Sequence, residues 1–131
     1  MELNLNIIGW SLIFLALVHI IFPKYFDWGK ELSQLSLVNK QMMYVHTFFI
    51  GLMVMLMGIF CLWCIDEIIY TTLGHKVSLG LSIFWGIRLI FQIFVYSSSL
   101  WRGKRKETMI HIFFILLLSY YTLVFLFIYL D

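Results

Sequence analysis

Apolar residues along this chain gather into four long runs separated by short polar stretches, at residues 5–22, 42–65, 77–97 and 108–130. A helix that crosses a bilayer needs about 17–25 largely apolar residues, and each run has such a length. The runs lack the period-two alternation of membrane β-strands and are about twice too long for them. The pattern therefore predicts an all-α, integral membrane fold with four transmembrane helices in a single domain over residues 1–131.

The short connections between the runs predict an antiparallel four-helix transmembrane bundle. Between Tyr25 and Leu37, aromatic residues and leucines are mixed with charged residues. This mixture indicates a short amphipathic helix at the membrane surface, between helices one and two. Glycines that would let neighbouring helices approach closely stand in the second and third runs: Gly51, Gly58, Gly80 and Gly86.

Composition favours the bilayer as the solvent of this fold. Hydrophobic residues make up 63% of the 131 residues, and 12% are charged. A soluble domain is roughly 45–50% apolar and about 25% charged. A water-soluble fold this apolar would expose large apolar patches and aggregate.

The lysines and arginines predict the orientation of the helices. Seven of them lie in the first and third connections, which share one side of the membrane: Lys24, Lys30, Lys40, Arg102, Lys104, Arg105 and Lys106. The opposite side carries only Lys76. Because basic loops stay inside, we expect these two connections in the cytoplasm, both termini outside, and a bacterial cytoplasmic membrane as the location. Topology accounts for the basic loops, so no nucleic-acid partner is expected.

The third run carries the most informative polar residues, because polar groups inside a bilayer are costly. At about 100° per residue they share one quarter of the helix surface: Ser78, Trp85, Arg88, Gln92, Tyr96 and Ser99. This stripe is expected to face the protein interior. Arg88 lies about ten residues from either end of the run, hence about 15 Å deep, without an acidic residue at matching depth. It either joins helices through carbonyls and water or holds an anionic or carbonyl group of a ligand.

Three histidines, His19, His46 and His111, stand about 5–6 Å inside the cytoplasmic ends of runs one, two and four. Converging imidazoles would suit iron, zinc or copper, and a pair of them would suit a haem. Glu107 precedes His111 by four residues, so it is a candidate ligand or orienting partner on the same helix face. The alternatives are histidines that merely reach the headgroups and a metal-free, proton-handling cluster.

These residues predict a small membrane protein that binds a cofactor, or a lipid-like or quinone-like ligand, near the cytoplasmic leaflet. The chemistry would be redox or hydrolytic, on a membrane substrate. The residues assigned to it are His19, His46 and His111 for a metal or haem, Arg88, Gln92 and Trp85 for the ligand, and Tyr96 and Glu107 for proton transfer. Membrane lipids are the general partners. Two other functions stay open: an accessory or assembly subunit of a larger membrane complex, and an oligomeric transporter or channel protomer.

Overall fold

Helices account for 87% of the chain, and no strand is present, in the computed structural model, which describes residues 1–131. The α-helices are α1 (Glu2–Tyr25), α2 (Trp28–Glu31), α3 (Leu37–Trp63), α4 (Ile65–Tyr70), α5 (Thr72–Ile90) and α6 (Arg105–Leu130). A π-helical turn (Phe91–Val95) continues α5, and a 3-10 turn (Ser98–Leu100) precedes α6. Four segments are long and apolar enough to cross a membrane: α1, α3, α5 with its π-helical turn, and α6. The all-helical class and the four candidate spans are thus confirmed.

The chain divides into two helical hairpins. In the first hairpin, Glu2–Ile65, helix α1 packs along α3; in the second, Asp66–Asp131, helix α5 packs along α6. The contacts of the first hairpin run in opposite order along its two helices. Gly9, near the start of α1, contacts Gly58 near the end of α3. Ala16, later in α1, contacts Gly51, which comes earlier in α3.

Small residues set the close approach of α1 and α3. A Cβ atom added to Gly58 would lie 2.8 Å from the backbone oxygen of Gly9, and one added to Gly51 would lie 3.1 Å from the Cβ of His19. The predicted role of glycine is therefore confirmed at Gly51 and Gly58. In the second hairpin, Gly86 lies against Thr122 at ordinary contact distance, whereas Gly80 faces open space.

The outward faces of the long helices are also apolar. On α1, Leu3, Trp10 and Phe14 are 72%, 65% and 70% exposed, while Leu5, Ile8 and Leu12 on the opposite face are fully buried. A helix in water presents a polar outer face, whereas a helix in hydrocarbon needs apolar residues on both sides. The four long helices are thus suited to a lipid environment.

The connection between α1 and α3 is shorter than its sequence pattern predicts. Helix α1 continues through Pro23 to Tyr25, and α3 begins at Leu37, where the Ser36 side chain accepts a hydrogen bond from the Asn39 N–H. The expected amphipathic helix is therefore reduced to the single turn α2. Asp27, the residue before α2, has a left-handed backbone conformation (φ 49°). This conformation cannot continue a right-handed helix, so α1 and α2 are separate. Trp28 of this turn is buried against Tyr44, with ring centroids 5.4 Å apart.

The helix built from the third run ends earlier than predicted. In the π-helical turn, the Tyr96 N–H bonds the Phe91 carbonyl at 3.4 Å, five residues back. Tyr96 itself has an extended backbone (ψ 133°), so it lies beyond the helix. The chain then passes through the 3-10 turn to Gly103, whose φ of +74° permits the tight entry into α6.

Candidate functional site

The face of α5 that meets α6 is polar. Ser78, Ser82, Trp85 and Gln92 are buried, at helical spacing along this face. The Ser82 hydroxyl donates a 3.0 Å hydrogen bond to the Thr122 carbonyl, and the Trp85 and Tyr121 rings lie 5.1 Å apart. The interior position expected for the polar stripe is observed at Ser78, Trp85 and Gln92. Tyr96 and Ser99 are exposed, because the helix ends at Val95 before reaching them.

Arg88 is half-buried and has no acidic partner. It lies seven residues before Val95, hence about 10 Å from the helix end rather than the expected 15 Å. Its Nη1 donates a 3.3 Å hydrogen bond to Oε1 of Gln92, and its guanidinium carbon lies 5.6 Å from the centroid of the Tyr96 ring. Both partners are uncharged. A guanidinium has several further N–H groups, so Arg88 keeps donors for a ligand.

Gln92 joins Arg88 to His111. Because arginine only donates hydrogen bonds, its partner on Gln92 must be the amide oxygen, and the amide nitrogen then points to Nδ1 of His111, 3.0 Å away. The amide therefore donates to Nδ1. A neutral His111 in this arrangement carries its proton on Nε2. Gln92 lies within the π-helical turn, and such turns often occur at functional sites.

Trp101 covers His111 from the connection that follows the π-helical turn. The two rings stack with their centroids 3.7 Å apart and their planes within 9°. The Thr108 hydroxyl donates a 2.7 Å hydrogen bond to the Trp101 carbonyl, which fixes this part of the connection to α6. The result is a continuous set, here called the Arg88 cluster, which consists of Arg88, Gln92, Tyr96, Trp101 and His111.

Four members of this cluster are candidate site residues in the sequence, whereas Trp101 is not. The stripe on the third run contained Arg88, Gln92 and Tyr96, and the histidine pattern contained His111. Trp101 lies in a connection between helices, where helical periodicity cannot predict which way a side chain points. Its only signal was its type, because tryptophan is common at membrane interfaces.

The hydrogen bonds and ring contacts that hold the Arg88 cluster together involve none of the other predicted site residues. Glu107 is exposed, and Nδ1 of His111 is bonded by Gln92 rather than by this carboxylate. His19 and His46 belong to the first hairpin, where His46 is exposed and Nδ1 of His19 bonds the Leu15 carbonyl at 2.8 Å. No group of three or more histidine, cysteine, aspartate or glutamate side chains is placed to hold a metal ion. The metal or haem site at His19, His46 and His111 stays a prediction.

The Arg88 cluster combines one permanent positive charge with neutral hydrogen-bonding groups. It contains no carboxylate and no thiol. Exposed basic residues follow in the connection and at the start of α6: Arg102, Lys104, Arg105 and Lys106. This end of the second hairpin is therefore electropositive and suited to an anion.

Comparison with known proteins identifies no relative of this chain. No protein-family model, no curated protein and no solved structure matches it.

Proposed function

We propose that this chain is an integral membrane protein that binds the phosphate group of an anionic lipid at the Arg88 cluster. In this proposal α1, α3, α5 with its π-helical turn, and α6 cross the bilayer as an antiparallel four-helix bundle. The two basic connections lie in the cytoplasm, and the lipid belongs to the cytoplasmic leaflet. Four apolar spans, their apolar outward faces and the one-sided distribution of lysine and arginine support this arrangement.

The observation that carries the proposal is the half-buried guanidinium of Arg88, which has no negatively charged partner. Removing a charge from water costs several kcal/mol unless an opposite charge compensates it, by an order-of-magnitude estimate. The protein offers only the Gln92 amide and the Tyr96 ring. A phosphate group would supply the missing negative charge, and its oxygens match the fork geometry of arginine.

The depth of Arg88 fits a lipid headgroup. At about 10 Å from the end of its helix, a long arginine side chain can extend toward the interface while its apolar stem stays in hydrocarbon. The cation–π contact with Tyr96 also directs the guanidinium toward the helix end, since Tyr96 lies beyond Val95. The nearby basic residues would attract anionic lipids, at about 1 kcal/mol for each charge close to the surface.

We propose binding as the function, because the contacts of the Arg88 cluster are those of a guanidinium held in place by neutral groups and lacking an anion. Lipid binding by the purified protein in nanodiscs, measured with phosphatidylglycerol and phosphatidylcholine, tests the proposal. The wild-type protein is expected to prefer phosphatidylglycerol, and Arg88→Gln should weaken that preference about tenfold, the effect of losing one charged hydrogen-bonded contact.

Two controls sharpen this experiment. Arg102→Gln removes an exposed charge from the same end of the hairpin and should weaken the preference less than Arg88→Gln, by about fivefold at most, and less still at high salt, which screens exposed charges. Inorganic phosphate should fail to compete, because it lacks the acyl chains that place a headgroup at this depth. An unchanged preference in Arg88→Gln, or an equal loss in Arg102→Gln, would contradict the proposal.

A further inference from the structure

The first hairpin contains a cleft of about 330 Å³ between the second half of α1 and the middle of α3. Most of its lining is apolar. The residues that matter here are Ala16, His19, Pro23, Thr47, Gly51 and Met55. Gly51 contributes no side chain at the point where His19 passes α3, and so leaves room for the imidazole. The volume is at the lower end of the range for small-molecule sites, which is about 300–1,000 Å³.

The hydrogen bond made by His19 fixes what this imidazole offers to a ligand. Nδ1 lies 2.8 Å from the Leu15 carbonyl, and a carbonyl only accepts, so Nδ1 carries the proton. In the neutral ring, Nε2 is then an acceptor. The Phe22 ring, 4.8 Å away between centroids, holds the imidazole from one side. His19 is therefore the reverse of His111, whose Nδ1 accepts.

Pro23 provides a second acceptor beside the same cleft. In a regular helix, the N–H of residue 23 would bond the carbonyl of residue 19, but proline has no N–H. Pro23 lies inside α1, so the His19 carbonyl lacks its usual helical donor. His19, which lines the cleft, thus has two acceptors, Nε2 and its carbonyl oxygen, for which helix α1 supplies no regular donor.

From this pairing we propose that the cleft binds a membrane-dissolved molecule with an apolar body and a hydroxyl head, a phenol or a hydroquinone. Its hydroxyl donates to Nε2 or to the carbonyl oxygen of His19, and its apolar body lies along Ala16 and Met55. A quinone or a methyl ether offers only acceptors to the same atoms and leaves them unpaired. A site whose polar groups lose their partner discriminates strongly against the analogue that lacks the hydroxyl. This proposal is independent of the Arg88 cluster, which lies in the second hairpin.

The test compares para-octylphenol with its methyl ether, para-octylanisole, as ligands of the full-length protein in detergent micelles. Dissociation constants are measured by isothermal titration calorimetry. The phenol should bind about tenfold more tightly than the ether, the difference expected for one satisfied hydrogen bond at a partly buried site. His19→Leu removes Nε2 but keeps the backbone carbonyl of residue 19, so it should narrow the difference, and the double variant His19→Leu/Pro23→Ala should bring the two dissociation constants together by weakening the phenol.

Two further variants separate the binding site from general effects on folding. Gln41→Leu removes an exposed polar side chain of α3 that does not line the cleft, so the preference should persist. Pro23→Ala restores the helical N–H that bonds the His19 carbonyl and should reduce the preference by about half or more while helix α1 gains a hydrogen bond.

Two results would overturn the proposal. One is equal affinity of the wild-type protein for the phenol and the ether, which would make the cleft a groove for acyl chains. The other is a preference that persists in the double variant His19→Leu/Pro23→Ala. Photocrosslinking with a diazirine-bearing alkylphenol gives a second criterion: labels should map to α1 and α3 around the cleft, and labels confined to the second hairpin would exclude this site.

Discussion

Gln92 donates a hydrogen bond from Nε2 to Nδ1 of His111 across 3.0 Å, and so connects the π-helical turn after α5 to the second turn of α6. The oxygen of the same amide accepts a hydrogen bond from Arg88. Because arginine can only donate, the amide oxygen must face Arg88, and the amide nitrogen must therefore face His111 as a donor. One buried neutral side chain thereby sets the position of a charged group and the proton position of an imidazole.

Replacement of Gln92 separates the structural role of this amide from the charge of Arg88. Gln92→Leu should lower the free energy of unfolding by about 1–3 kcal/mol, because it leaves a guanidinium and an imidazole without their shared partner. Gln92→Glu should lose less stability than Gln92→Leu, since the carboxylate pairs with Arg88 directly, although it can bond His111 only if the imidazole proton moves to Nδ1. That same pairing should abolish the preference for phosphatidylglycerol.

Thermal unfolding in detergent and lipid binding in nanodiscs measure these two effects. A Gln92→Glu protein that binds phosphatidylglycerol as the wild type does would show that the charge of Arg88 is not the binding determinant.

The glycines of the two hairpins should respond differently to alanine. Gly58→Ala places a methyl group 2.8 Å from the backbone oxygen of Gly9, which cannot move aside alone, so we expect a loss of about 1–3 kcal/mol. Gly86→Ala meets only the Thr122 Cγ2 at 3.5 Å, an ordinary contact, and should be neutral or stabilising. Equal effects of the two substitutions on the unfolding temperature would contradict the described packing of α1 on α3.

Helical periodicity predicted the four long helices, because each apolar run is long enough to bury a face and still present hydrocarbon outward. It failed at helix ends. The first apolar run ends at Phe22, but α1 continues through Pro23 to Tyr25, because the N–H that proline lacks interrupts only one hydrogen bond near the end of the helix. Tyr96 was assigned to the third helix, whereas the π-helical turn ends that helix at Val95.

The candidate site was predictable only within a helix. A rotation of about 100° per residue placed Arg88 and Gln92 on one face, and the same rule placed Glu107 beneath His111. The partner of His111 is instead Gln92. Contacts between helices depend on how the helices pack, and the periodicity of one helix carries no information about that packing. The stacking of Trp101 on His111 arises from the folding of a connection, which no periodic pattern describes.

The orientation of the bundle is open to cysteine labelling. In a background with Cys61 and Cys64 replaced by alanine, Ser33→Cys and Gly103→Cys should react with a membrane-impermeant maleimide only from the cytoplasmic side. Asp66→Cys should react only from the opposite side, because this exposed residue lies between the second and third spans. Labelling of positions 33 and 103 from opposite sides would contradict the four-span topology.

The histidine hypothesis is checked by elemental analysis of the purified protein. If His19, His46 and His111 bind a metal, near-stoichiometric iron, zinc or copper should be present and should disappear in the variant with all three replaced by alanine. An absorption spectrum then distinguishes a haem from other iron. Absence of metal from both proteins, after purification without chelators, would contradict the hypothesis.

The most direct test of lipid binding at Arg88 is a solid-state NMR measurement of dipolar coupling between guanidinium ¹⁵N and lipid ³¹P. The chain has three arginines, so Arg102→Lys and Arg105→Lys leave Arg88 as the only labelled guanidinium while the loop charge is kept. In phosphatidylglycerol bilayers we predict a clear ¹⁵N–³¹P coupling from Arg88, and its loss in Gln92→Glu. A well-resolved Arg88 signal without coupling to phosphorus would contradict the proposed binding site.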